Sequence, residues 1–132
     1  MSIELFYLAG TAFLTSLLWI PYVMDRLTQW GFVETMGYPD NPPPLSPWAQ
    51  RAKKAHTNAV ENLVVFAALV LAVEISGLNN EVTAMAAVTF LWARIFHYVV
   101  YLAAFPWLRT ITFMVGWLCQ LTLAWVLVFA GW

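Results

Sequence analysis

The stretch RAKKAHTNAVENLVVFAALVLAV (51–73) decides how this chain folds. From Leu63 onward it is apolar without interruption, the kind of segment that sits in hydrocarbon. Its first half carries Arg51, Lys53, Lys54, His56, Asn58, Glu61 and Asn62. Both halves read as one helix. At 100° per residue Lys54, Asn58 and Glu61 fall within about 60° of one another, with Arg51 at the edge of that face. His56 points nearly the opposite way.

The rest of the chain shows where such a helix belongs. The 132 residues suffice for a single domain, 1–132, and are 62% hydrophobic and only 10% charged. The mean hydropathy is +0.72. So few charges cannot cover the surface of a water-soluble domain of this size, so the composition predicts a multi-pass integral membrane protein. A net charge of −1 leaves no electrostatic footprint for nucleic acid. Cys119 is the single cysteine, which excludes an internal disulfide. Zinc-ligand spacings, glycine-rich phosphate loops and nucleophile elbows are absent from the sequence, and no metal site is expected.

About 20 apolar residues cross the hydrocarbon of a bilayer, and the sequence supplies four such spans, near 3–24, 52–75, 82–105 and 108–131. The expected fold is all-α, an integral membrane four-helix bundle. The first span lacks a basic leader and a small-residue cleavage site, so it reads as a retained helix and not a cleaved signal. SGLNNE (76–81) is a tight turn, and Pro106 separates the third span from the fourth. The longest connection, 25–50, holds the proline-rich run from Pro39 to Pro47, which is expected to be extended or turn-like. Arg26, Arg51, Lys53, Lys54 and Arg109 lie in or beside the first and third loops, whereas only Glu74 and Glu81 lie near the second. The positive-inside bias therefore predicts that loops one and three face the cytoplasm. Trp19, Trp30, Trp48, Trp107 and Trp132 fall near span ends, as interfacial aromatics do.

On this topology four helices bring polar groups to one depth. Arg94, His97 and Tyr101 share a stripe on the third span, and Arg109, Thr112, Gly116 and Gln120 share one on the fourth. Arg26 joins from the first. Arg26, Arg51, Lys54, Arg94 and Arg109 outnumber the one nearby carboxylate, Glu61, so the layer reads as an anion site. A purely structural network, with Glu61 paired to Arg94 or Arg109 and Asn58 bridging helices, is the alternative. A haem held by His56 and His97 is a further one, weakened because His56 faces away.

RAKKAHTNAVENL, followed about 30 residues later by ARIFHYVVYLAAFPWLRT, resembles the membrane-associated proteins in eicosanoid and glutathione metabolism, the MAPEG family. The resemblance spans essentially the whole chain and centres on Asn-x-x-Glu, Arg-x-x-His-x-x-x-Tyr and the basic residue opening the fourth helix. It implies a homotrimer with glutathione as co-substrate, bound between neighbouring subunits and open to the cytoplasm. It also implies a lipophilic second substrate and attack by the glutathione thiolate on that electrophile or on a lipid hydroperoxide. Residue by residue, it implies that Asn58 and Glu61 hold the polar part of glutathione, Glu61 at the α-amino group. Lys54, where the family usually has arginine, would receive carboxylates with Arg26, and Arg51 would border the same face. Arg94, His97 and Tyr101 would line the opposite wall, and Arg109 would stabilise the thiolate. The short loops and compact length resemble bacterial members, which implies a bacterial inner membrane. A non-catalytic scaffold or small carrier remains the rival from a different class.

Overall fold

The structure, a computed structural model, describes residues 1–130; Trp132 and the last position of the fourth expected span lie outside the described residues. The chain is all-α: α1 (Ile3–Leu17), α2 (Ile20–Trp30), α3 (Phe32–Met36), α4 (Pro47–Ser76), α5 (Glu81–Leu102) and α6 (Pro106–Trp125), which ends in a π-helical turn, Val126–Ala130. Four helical stretches are long and apolar enough to cross a bilayer: Ile3–Trp30, Pro47–Ser76, Glu81–Leu102 and Pro106–Ala130.

The first of these is broken. Pro21 has no N–H to offer the carbonyl four residues back, and α1 closes at Leu17 with a tighter bond from Leu18 N to Thr15 O at 3.3 Å. The neighbouring Leu18 carbonyl accepts the Tyr98 hydroxyl at 3.3 Å. Below the break α1 packs on α4 and α5, and above it α2 packs on α4.

The connection expected over 25–50 is shorter than its length suggests. Nothing between Asp25 and Trp30 interrupts a helix, so α2 runs on to Gly31, whose φ of 81° ends it. After the single turn of α3, only 37–46 is irregular. Four hydrogen bonds pin this run to α2, one of them from Gln29 Nε2 to Ser46 Oγ at 3.2 Å. The buried Asp25 carboxylate accepts from Ser46 N at 2.8 Å and Ser46 Oγ at 2.7 Å, and Trp30 Nε1 donates to the Pro43 carbonyl at 2.6 Å. Pro47 then occupies the first turn of α4, where its missing N–H costs nothing.

The other two connections are short and explicit. Gly77 closes α4 in the left-handed region, and the Asn80 side chain caps α5 while Thr83 Oγ1 accepts from Asn80 N at 2.8 Å. Between α5 and α6, Ala104 is the one non-glycine at positive φ, 64°, among the described residues. A left-handed L-residue is disfavoured by roughly 1–2 kcal/mol. Ala104→Gly is therefore expected to stabilise the protein by about 1 kcal/mol, read as a raised melting temperature in detergent.

α4 and α5 form the centre of the bundle, with α1 packed against both on one side and α6 against both on the other. At their crossing Phe66 stacks on Phe90, with centroids 3.9 Å apart and planes 14° from parallel. Val70, Val73, Ala86, Ala87, Cys119 and Leu123 complete this core. Toward the N-terminus of α4 the buried positions are Ala49, Ala52, Ala55 and Ala59, small enough for neighbouring helices to approach closely. Trp92, Trp117 and Trp125 point outward. At the end distant from the cations, the Thr83 hydroxyl donates to the buried Glu4, and Ser2 Oγ and Asn79 Nδ2 donate to Glu74 at 2.7 and 2.9 Å. Those bonds tie α1, α4 and α5 together.

Candidate functional site

Helical phase places the polar residues of α4. The buried stripe Ala52–Ala55–Ala59–Phe66 faces the bundle, and Lys54, Asn58 and Glu61 lie about a quarter-turn or more away from it on the flank. Asn58 is accordingly half-buried, while Lys54 and Glu61 are exposed. Between this flank and α5 opens a cavity of about 630 Å³ lined by Leu45, Gln50, Lys53, Lys54, Thr57, Asn58, Glu61 and Tyr101. Its rim is fixed by Gln50 Nε2, which donates to the Leu45 carbonyl at 2.7 Å. The volume lies in the range of small-molecule sites.

On α5 the polar stripe coincides with the core stripe. Arg94 and His97 follow Ala87 and Phe90 inward and are only 4% and 2% exposed, whereas Tyr101, near the helix end, reaches the cavity. Arg94 Nη2 donates to Asn58 Oδ1 at 2.6 Å, and its Nε meets no partner among the described residues. The pairing of Arg94 with Glu61, one of the structural alternatives, does not form in this chain: Arg94 binds a neutral amide, and the Glu61 carboxylate is left open to the cavity. His97 Nδ1 is likewise buried without a partner. Its ring stands edge-on to Tyr101 at 5.5 Å and 6.2 Å from Phe113.

A second cavity of about 230 Å³, lined by Asn58, His97, Tyr101, Arg109, Thr110 and Phe113, shares Asn58 and Tyr101 with the first. A third, of about 180 Å³, lies at the α5–α6 corner and includes Arg51, Tyr101 and Arg109. Tyr101 thus lines all three, and the exposed Arg109 guanidinium sits 5.2 Å from the centre of its ring. Arg51 Nε donates to the Leu102 carbonyl at 2.9 Å, a cation on the carbonyl end of α5.

Of the residues predicted for the site, Lys54, Asn58, Glu61, Arg94, His97, Tyr101, Arg51 and Arg109 converge on this end of the bundle. Arg26 does not join them within one chain. Its guanidinium lies 4.9 Å from the Trp30 ring and 6.0 Å from Tyr22, on the side of α4 where Tyr22 OH meets His56 Nδ1 at 2.8 Å. The two histidines therefore serve different neighbours, and the haem pairing has no geometry to support it.

Two members of the layer were not among the predicted ligand-binding residues. Asn62 Nδ2 donates to Asn58 O at 2.9 Å and to Asn58 Oδ1 at 3.3 Å. Gln120, on the polar stripe of the fourth span, donates from Nε2 to Asn62 O at 3.2 Å and Oδ1 at 3.4 Å. The sequence signal for Asn62 was its i, i+4 spacing from Asn58. The result is a chain of amides crossing from α6 to α4 and ending on the Arg94 guanidinium.

Chemically, these cavities present Lys53, Lys54, Arg51 and Arg109 beside a single open carboxylate. They fit a ligand with several anionic or acceptor groups and one cationic group. No curated protein and no solved structure matches the chain. The family model described as "MAPEG family" matches residues 5–129.

Proposed function

The chain belongs to the MAPEG family, and from that premise we propose that it is a glutathione-dependent membrane transferase with peroxidase capacity toward lipid hydroperoxides. The observation that carries this reading is the cavity in which Lys54, Asn58, Glu61 and Tyr101 meet, which shares Asn58 and Tyr101 with the Arg109 cavity. Glutathione has two carboxylates, one ammonium and one thiol. Glu61 takes the ammonium, Lys54 a carboxylate and Asn58 a peptide or carboxylate oxygen. Arg94, His97 and Tyr101 back the tripeptide, and Arg109 faces the sulfur. The working unit is a homotrimer in the bacterial inner membrane with the site toward the cytoplasm. Arg26, turned away from the cavities of its own chain, then serves a neighbour's glutathione.

A free thiol has a pKa of about 8.5, and only its thiolate is a strong nucleophile. A guanidinium beside the sulfur favours the anion and keeps its own proton at all working pH values. The thiol proton leaves to water at the open mouth. The thiolate then forms a carbon–sulfur bond as the leaving group departs with its electron pair. With a hydroperoxide the thiolate takes the distal hydroxyl oxygen with its hydrogen, the O–O bond breaks, and the alkoxide leaves with the bonding pair and takes a proton from water to become the alcohol. A second glutathione converts the resulting sulfenic acid to disulfide and water.

Calorimetry on the detergent-solubilised protein tests the reading. Saturable glutathione binding that is weakened by charge reversal at Lys54 is expected. The amide chain linking α4, α5 and α6 is also what a structural layer would need. Absence of binding would therefore leave the non-catalytic scaffold or small carrier in place.

A further inference from the structure

The orientation of the Asn58 side chain is set from two sides. Its Oδ1 accepts from Arg94 Nη2 at 2.6 Å on α5 and from Asn62 Nδ2 at 3.3 Å one turn along α4. Asn62 is held in turn by Gln120 Nε2 from α6, at 3.2 and 3.4 Å to its two oxygens. Gln120 is 7% exposed, so this anchor is shielded from competing water. An amide whose oxygen is occupied twice presents its other arm, the NH₂, and Asn58 Nδ2 has no protein acceptor among the described residues. Asn58 lines both the 630 Å³ cavity and the 230 Å³ cavity that holds Arg109.

We propose that Asn62 and Gln120 are positioning residues that lock the Asn58 amide with its oxygen toward Arg94, making Asn58 an obligate donor to a carbonyl or carboxylate oxygen of the bound ligand. This rests on the glutathione reading for the identity of that ligand. Neither residue touches the ligand; each acts through Asn58. Without Asn62 and Gln120 the amide is held by Arg94 alone, so its NH₂ is less firmly fixed toward the ligand and the turned-over form, whose oxygen an acceptor group repels, gains population.

The discriminating variants are Gln120→Met and Asn62→Leu, which keep approximate volume and remove the hydrogen bonds. Each is expected to weaken glutathione binding roughly five- to tenfold, the range of one well-placed hydrogen bond. In an Asn58→Ala background, Gln120→Met should change affinity less than twofold, because the amide through which it acts is gone. Asn62→Leu, on a different helix, gives the same reading should Gln120→Met fail to fold. Unchanged affinity in both variants, or the full loss repeated in the Asn58→Ala background, overturns the clamp while leaving the glutathione site standing. An unmodified protein that binds no glutathione overturns the functional reading, and the clamp with it.

Discussion

Arg109→Ala should lower glutathione conjugation to an aryl halide about a hundredfold, the scale on which removing one preorganised charge-stabilising group acts. Glutathione affinity should stay within about threefold of the unmodified protein, because the other charged contacts of the tripeptide lie across the first cavity. Arg109 is exposed, its guanidinium rests on the Tyr101 ring at 5.2 Å, and it lines the small cavity with Thr110 and Phe113. None of the bundle's buried packing depends on it, so the fold and its melting temperature should persist. Arg109→Lys should recover part of the rate, since the ammonium keeps the charge but lacks the planar fork. Steady-state turnover with separate glutathione titrations reads both quantities. Unchanged turnover would remove Arg109 from the thiolate, and a large drop in melting temperature would recast it as structural.

Glu61→Gln carries the second large effect. Replacing the carboxylate by its neutral isostere should weaken glutathione binding about ten- to a hundredfold, the range for a hydrogen bond to a charged group. The melting temperature should hardly move. Glu61 is exposed on the flank of α4 and opens to the cavity, and the buried cation nearest in role, Arg94, bonds to Asn58. A structural layer predicts the reverse pattern, with lost stability and no change in a binding that was never there. Calorimetry and thermal unfolding on one preparation separate the two.

Hydropathy and proline placement made the four spans and the α5–α6 break at Pro106 legible before any coordinates. The kink at Leu18–Trp19 was not legible that way, because the apolar run passes over Pro21 and hydropathy does not register a lost backbone bond. The continuation of α2 to Trp30 was hidden for the opposite reason: a charged stretch reads as a loop even where nothing breaks the helix. On the polar layer, a rotation of 100° per residue correctly separated the Lys54–Asn58–Glu61 face of α4 from His56, which bonds toward Tyr22. The same arithmetic put Arg94, His97 and Tyr101 on one stripe of α5. It carries no information about which way that stripe turns, and here it turns into the core. The partners of Asn58 and the rim at Leu45 depend on how separate helices meet and on a loop path held by Asp25 and Ser46. Periodicity within one helix is silent on both.

A structure of the protein in detergent or nanodiscs with glutathione bound tests the central claim most directly. The expected result is the tripeptide in the Lys54–Asn58–Glu61–Tyr101 cavity of a trimer, its ammonium at Glu61, its sulfur beside Arg109 and Arg26 of a neighbouring subunit at a carboxylate. An empty cavity at saturating glutathione, or glutathione bound away from Asn58 and Glu61, would contradict it.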